Sequence, residues 1–281
     1  MTSPRLTIVI VSYNAREDLD RCLGSLAGYP AATPHETVVV DNASTDGSAE
    51  LVRAKWPAVR LMQAESNIGF ARANNIAIRA TSAELILLLN GDTIVKAGAI
   101  DTLVQTLDAD GRIAVVGPRM VDRHGHAELS FGRMIGPLAE VRQKVLVRGN
   151  DEHIGPIAGY VERATQRARD VDWVSGACLL VRRADADAAG LLDERYFMYA
   201  EDVDFCAAVR ARGRRVRFTP AAEVIHLRGR SAATDPTATA RAYRRAHLAF
   251  YEKHHPAWAP VLRLYLRLRG QLPDRSDTPS H

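Results

Sequence analysis

Five short runs of Val, Ile and Leu mark the first 116 residues, at Leu6–Val11, Thr37–Val40, Val59–Met62, Leu85–Leu89 and Ile113–Val116. The residues between them carry apolar positions at helical spacing, so the order predicted is βαβαβαβαβ. The runs are nearly continuous rather than alternating. Each strand is therefore expected to be buried on both faces, in a mostly parallel α/β sheet flanked by helices. In such sheets ligands bind beyond the carboxyl ends of the strands, so the polar residues just after each run are the first candidates for function. Punctuation agrees: Ser44 to Gly47 precedes a helix predicted over Ser48–Lys55, and Gly69 opens an Ala- and Asn-rich stretch reaching Ala80. A later strand is predicted over Val174–Val181, then a helix around Ala184–Ala189. Residues 201–212 also have helical spacing, with Phe205, Ala208 and Val209 sharing a face. From Phe131 to Asp170 the pattern fades into glycines, prolines and scattered charge, which reads as an insertion.

Composition places the chain among globular proteins, with 281 residues, 47% hydrophobic and 25% charged. The net charge of +4 hides an asymmetry: residues 1–206 carry 22 Lys/Arg against 28 Asp/Glu, and residues 207–281 carry 15 against 5. A basic end suits nucleic acid, an anionic membrane or a phosphorylated ligand. No nucleic-acid motif accompanies it, so nucleic acid is not expected as a partner. Cys22, Cys178 and Cys206 lie far apart with no CxxC pair, which suggests neither a disulfide framework nor a zinc site and fits a reducing cytoplasm. No apolar run is long enough to span a bilayer, and no signal-peptide pattern is seen. Arg241–Gly270 interleaves aromatic and basic residues at amphipathic spacing. That fits peripheral contact with the inner face of the cell membrane, and equally packing on the rest of the chain or in a homodimer. Only the end, from about Pro273, reads as a polar tail.

Candidate chemistry begins with Ser12-Tyr13-Asn14 after the first strand and Asp41-Asn42-Ala43-Ser44-Thr45-Asp46-Gly47-Ser48 after the second. Both should face one crevice. Asp41 could accept the N3–H of a pyrimidine base and Asp46 could contact a ribose, although a turn followed by a helix cap explains the same composition. Together these two elements resemble the nucleotide site of glycosyltransferase family 2. The resemblance continues at Asn67-Ile68-Gly69-Phe70-Ala71-Arg72-Ala73-Asn74-Asn75, which is similar to an N-x-G-F-x-x-A-x-N element of its rhamnosyltransferase-like branch. Backbone N–H groups at the Gly69 helix start could also meet a phosphate.

The remaining elements follow in the family's order. Asn90-Gly91-Asp92 stands where the D-x-D element is expected, with Asn90 in place of the first Asp. The resemblance implies that Asp92 helps hold Mg²⁺ or Mn²⁺ against a sugar-nucleotide diphosphate. One carboxylate can suffice because phosphate and water oxygens complete the shell of a hard dication. Trp173, Gly176 and Ala177 lie in an acceptor-side G-A element, and Glu201-Asp202 matches the E-D element, implying a general base for inverting transfer. Asp202 is the first choice and Glu201 the competitor. His226 opens an H-x-x-G-x-S-like element, where it could bind the metal, and Arg228, Arg230 and Ser231 could meet the leaving diphosphate.

The resemblance thus implies a GT-A (Rossmann-like) catalytic domain over 1–232, with a nucleotide-sugar half to about residue 117 and an acceptor half over 118–232. A basic helical extension would occupy 233–281. The implied activity is inverting transfer of a sugar, L-rhamnose from dTDP-L-rhamnose or another sugar from a UDP-sugar, onto a glycan or polyprenyl-diphosphate-linked acceptor. Two other classes stay open. A sugar-1-phosphate nucleotidyltransferase should show a G-x-G-T-R-L type loop where this chain has Val11-Ser12-Tyr13-Asn14. A catalytically silent nucleotide-sugar-binding protein would keep the early elements and lose the base; Glu201-Asp202 argues against it and Asn90 leaves it open.

Overall fold

The computed structural model describes residues 3–227 and 236–273. β1 (Leu6–Ser12), α1 (Arg16–Gly28), β2 (His35–Asp41), α2 (Ser48–Lys55), β3 (Arg60–Gln63), α3 (Phe70–Arg79) and β4 (Leu85–Asn90) follow the predicted alternation. A short β5 (Thr93–Val95) then precedes α4 (Ala99–Asp108) and β6 (Ile113–Val121). The sheet runs β3-β2-β1-β4, with β1 parallel to β2 and β4 and β2 parallel to β3. Beyond β4 come β11 (Cys178–Arg182), which is antiparallel to both β4 and β6, then β6 and β12 (Arg215–His226), which are parallel to each other. β5 closes that edge against the end of β12.

The continuous apolar runs have the cause expected of them. Leu6, Ile8, Ile10, Leu85, Leu87 and Leu89 face α1 and α4 in one buried layer. Val9, Val38, Val40, Ile86 and Leu88 face α3 and α8 (Glu201–Ala211) in the other. Each such side chain contributes about 1.5–3 kcal/mol on burial, so both faces hold the strands in place.

Two expectations need correction. The single strand predicted over Val174–Val181 is two: β10 (Trp173–Val174) pairs with β8 (Phe131–Gly132), whereas β11 joins the main sheet. Residues 175–177 leave strand geometry between them, and the Gly176 N–H turns toward α8. The stretch from Phe131 to Asp170, read as patternless, holds α5 (Pro137–Asp151) and α6 (Gly155–Ala164), with β9 (Arg169–Val171) after them. The apolar residues of α5, Leu138, Val141 and Val145, are exposed, so their spacing marked no core face. Pro137 and Pro156, each in the first turn of its helix, were the available start signals.

The C-terminal segment forms α9 (Pro236–His254) and α10 (Ala259–Leu268). α9 packs on the α/β layer: Ala246, Phe250 and Tyr251 are buried with Tyr196 and Val203. His254 and Lys253 both reach Asp204 of α8, at 2.6 and 2.8 Å, and His255 Nε2 lies 2.6 Å from the Ile135 carbonyl. The adjacent histidines, unassigned from sequence, are thus clamps. Glu140 of α5 ties the insertion to α9, accepting from Tyr251 at 2.6 Å and meeting His247 at 2.9 Å, with Lys144 also paired to it. Burial would raise the Glu140 carboxyl, but His247, Lys144 and Tyr251 outweigh it and hold it at about 2.

Because the folded-state value lies below the ordinary 4.5, this carboxylate stabilises the fold above about pH 4.5 and the contribution is lost as pH falls toward about 2. Glu140→Gln is expected to lower stability by about 1–3 kcal/mol at neutral pH. Thermal unfolding from pH 7 downward should show the gap to wild type closing below about 4.5; a constant gap would refute the linkage.

Candidate functional site

The loops after β1 and β2 form one wall of the crevice through mutual hydrogen bonds. The Asn14 N–H donates to Ser44 Oγ at 3.0 Å, and the Thr45 N–H donates to Asn14 Oδ1 at 2.8 Å. Asp46 accepts the Arg16 N–H at 2.9 Å and the Ser48 N–H at 3.0 Å, bracing both loops at the start of α2. Asp41 is buried; Oδ2 accepts the Ser44 N–H at 3.2 Å while Oδ1 has no partner, and the buried Ser12 Oγ also has none. An unpaired buried acceptor is costly, so these two atoms suit a ligand's donors. Tyr13 stands 46% exposed at the rim.

Asn42, for which the sequence suggested no role, connects this wall to the next element. Its amide donates to Asn67 Oδ1 at 2.8 Å and its Oδ1 accepts the Ile68 N–H at 2.9 Å. The Asn67-to-Phe70 turn then docks on the loop before α8, where the Phe70 N–H donates to the Phe197 carbonyl at 2.7 Å. Gly69 makes the approach possible: its φ is +84° and a Cβ there would lie 2.4 Å from the Phe197 oxygen. Asn74 is buried and donates to the Phe70 carbonyl at 2.9 Å, leaving its Oδ1 unpaired. Asn75 grips Leu192 and Glu194 instead.

β4 delivers Asn90, Gly91 and Asp92 to the crevice floor, and the Asn90 N–H donates to the Ala177 carbonyl at 2.9 Å. The Leu227 N–H donates to the Asp92 carbonyl at 2.8 Å, which brings the end of β12 alongside. His226 Nε2 lies 3.4 Å from Asp92 Oδ1 and Nδ1 lies 3.2 Å from Glu128 Oε2. Burial disfavours the charged imidazole, but the two carboxylates outweigh it and raise His226 to about 9. Glu128, on β7 (Ala127–Glu128), is a site residue that no sequence motif marked. It belongs to a two-residue strand far from His226 along the chain.

A divalent ion fits here in a limited sense. Among the described residues no three His, Cys, Asp or Glu side chains form a metal cage. The chain offers the Asp92 carboxylate and the His226 imidazole, and a hard dication would need oxygens from a nucleotide diphosphate and water to complete its shell. Binding would accompany the nucleotide.

The Glu201-Asp202 pair opens α8 after two consecutive left-handed residues, Tyr199 at φ +74° and Ala200 at φ +66°. Non-glycine residues in this region are strained, and such strain clusters at functional sites. Glu201, four residues before Phe205 and on the same side of the helix, is buried with Oε2 unpartnered. Asp202 is half-buried; its Oδ2 accepts the Gly176 N–H at 2.8 Å and its Oδ1 the Val203 N–H at 2.8 Å. A Cβ on Gly176 would come within 3.2 Å of Asp202 Cβ. Burial and the nearby Asp202 charge push the Glu201 carboxyl well above the ordinary range. Burial also raises Asp202, but the backbone donors favour its charged form. Both carboxyls are therefore pushed upward, Glu201 first by burial, while Asp202 keeps two backbone donors and partial access to the crevice.

The family model described as Glycosyl transferase family 2 matches residues 7–187. The chain belongs to this family. An N-acetylglucosaminyl-diphospho-decaprenol L-rhamnosyltransferase of Mycobacterium tuberculosis is 30% identical over 295 residues, covering 96% of this chain and 93% of that protein. A rhamnosyltransferase of Escherichia coli K12 is 27% identical over 169 residues, covering 56% and 60%. Among solved structures, a mannosyltransferase from Pyrobaculum calidifontis in complex with GDP-Man and Mn²⁺ aligns with a TM-score of 0.60 at 19% identity, covering 95% of this chain and 70% of that one. The fold is GT-A.

The residues singled out from sequence converge from seven chain segments. Ser12, Tyr13, Asn14, Asp41 and Asp46 form one wall, with Asn67 and Gly69 next to it and Asn74 behind them in α3. Asn90, Gly91, Asp92 and His226 form the floor, and Gly176, Ala177, Glu201 and Asp202 the opposite side. Trp173 stands back from the pair, its indole N–H donating to the Arg133 carbonyl at 2.9 Å. Arg228, Arg230 and Ser231 lie outside the described residues.

Gly69→Ala should cost about 1–3 kcal/mol, since the added methyl meets a backbone carbonyl at a left-handed position. Urea unfolding measures this; an unchanged midpoint would show that the Phe197 contact does not hold the two elements together.

Proposed function

We propose that this family 2 glycosyltransferase moves L-rhamnose from dTDP-L-rhamnose to a hydroxyl of a polyprenyl-diphosphate-linked cell-envelope glycan, inverting the anomeric carbon. The observation that carries the reading is the half-buried Asp202 carboxylate, held by the Gly176 N–H beside the buried Glu201. Support for donor and acceptor comes from the mycobacterial relative, whose name states both the sugar and the lipid diphosphate. The same acceptor chemistry would place the enzyme at the inner face of the membrane. No helix among the described residues is long and apolar enough to cross one.

Asp41 Oδ1 accepts the N3–H of thymine, and Ser12 Oγ meets another polar edge of the nucleoside. The edge Asp41 reads is common to uracil and thymine, so Asp41 selects a pyrimidine rather than thymine itself. Asp92 and His226 face the diphosphate. When bound, Mg²⁺ or Mn²⁺ supplies positive charge to the leaving diphosphate. Asp202 takes the proton of the acceptor hydroxyl as that oxygen bonds to C1 and the C1–O bond to the diphosphate breaks. Glu201, buried and with its carboxyl pushed toward the protonated form, is the poorer acceptor for that proton.

Asp202→Asn should reduce turnover about 10²–10⁴-fold while dTDP affinity stays near wild type. Glu201→Gln, which resembles the protonated acid, should cost much less. The outcome that sinks the assignment is the reverse: an active Asp202→Asn and an inactive Glu201→Gln that still binds donor.

Asp92→Ala should weaken dTDP binding roughly tenfold or more in saturating Mg²⁺ or Mn²⁺, as expected for losing one charged contact. With a chelator present the two proteins should bind alike. Calorimetry that shows equal affinities in metal would remove Asp92 from the metal site.

A further inference from the structure

We propose that α5 and α10 form a surface that seats the enzyme on an anionic lipid bilayer. Helix α10 is apolar around most of its circumference, yet only one side is used by the protein. Ala259 and Leu266 are buried and Leu262 packs against the C-terminal cluster, whereas Val261, Leu264, Tyr265 and Leu268 share another face and stand 50–79% exposed. Their spacing is i, i+3, i+4, i+7, the repeat of a continuous helical stripe. Helix α5 repeats the arrangement: Leu138, Val141 and Val145 follow i, i+3, i+7 and are 56–88% exposed. A leucine left 88% exposed on a well-formed helix is a poor fit to water alone.

The occupant is indicated by charge. Residues 236–273 carry seven Lys/Arg against one Asp/Glu. On α10 Arg263 and Arg267 flank the apolar stripe between it and the buried side, Arg263 paired with Glu252 at 2.6 Å, and Arg269 stacks on Tyr265 with its guanidinium 5.6 Å from the ring. On α5 Arg142, Lys144 and Arg148 border the apolar stripe. Apolar stripes bordered by basic side chains and an interfacial tyrosine suit an anionic headgroup layer, with the cations at phosphate level and the aliphatic tips below it. A second copy of this basic surface would bring like charges together.

The surface adjoins the catalytic pair. Lys144 Nζ lies 6.0 Å from the Tyr243 ring, and Tyr243 lies 5.7 Å from Tyr199, two residues before Glu201. A lipid-linked acceptor held in the bilayer would thus present its sugar from the side of Asp202. The proposal deepens the lipid-linked-acceptor reading and rests on it for its purpose alone.

Flotation of the full chain with vesicles of neutral lipid, or of neutral plus anionic lipid, tests it. Wild type should float with the anionic vesicles at low salt, and much less with neutral vesicles or at high salt. Leu264→Asp with Leu268→Asp, and separately Leu138→Asp with Val141→Asp, should reduce the bound fraction roughly tenfold or more, because each places charge where apolar contact is needed. Since these positions are exposed, thermal midpoint and dTDP affinity should stay at wild-type values. The proposal is overturned if wild type ignores anionic vesicles, if it binds neutral ones equally, or if both double variants bind as wild type does. It is equally overturned if light scattering shows a dimer that Leu264→Asp with Leu268→Asp dissociates while vesicle binding is absent: a second copy then covers the face. Loss of dTDP binding or of rhamnosyl transfer would count against the catalytic assignment and leave vesicle binding unaffected.

Discussion

Three carboxylates crowd the first turn of α8, and the rest of the molecule is arranged around where each one points. Glu201 turns inward toward the core, Asp202 toward the crevice and the Gly176 N–H, and Asp204 toward Lys253 and His254 of α9. The positive end of the helix dipole favours such a cluster, but the charges would still repel if all remained ionised in one place. The structure separates them by environment. Burial of Glu201 disfavours its charge, backbone donors hold Asp202, and Lys253 pairs with Asp204. One short helix start thereby serves the core, the crevice and attachment of the C-terminal helices.

The strained approach to that helix explains why the neighbouring elements are built as they are. Tyr199 and Ala200 hold left-handed backbone geometry only because Phe197 is gripped by the Gly69–Phe70 turn on one side and Tyr196 is buried against α9 on the other. The Gly69–Phe70 turn and the loop before α8 are joined directly at Phe197. Asn42 and Asn67 connect to that contact through a few hydrogen bonds. Asp92, His226 and Glu128 form a separate chain of contacts. The helical layer of α5, α9 and α10 is tied to the rest through Glu140 and Asp204.

Much of this was legible in the residue order. Buried parallel strands need apolar residues on both faces, so Leu6–Val11 and Leu85–Leu89 announced themselves, and the polar residues after them had to lie at the crevice. Asp41 and Asp92 stood out because they follow strand ends, whereas Asp202 was singled out by the resemblance of Glu201-Asp202 to the family's E-D element.

Contacts between distant segments could not be read that way. Nothing local links Asn42 to Asn67, Glu128 to His226, or His255 to Ile135, since each pair is made by the topology of the sheet and not by spacing along the chain. The break between β10 and β11 was hidden because apolar residues continue on both sides of Gly176, and only the demand of Asp202 for a backbone donor turns the chain out. Helix α5 was hidden for the opposite reason, as its apolar residues face away from the core. Sequence alone determined which residues could be buried and which chemistry lay at the strand ends; tertiary structure decided the surroundings of each carboxylate, because those depend on neighbours the chain brings in from far away.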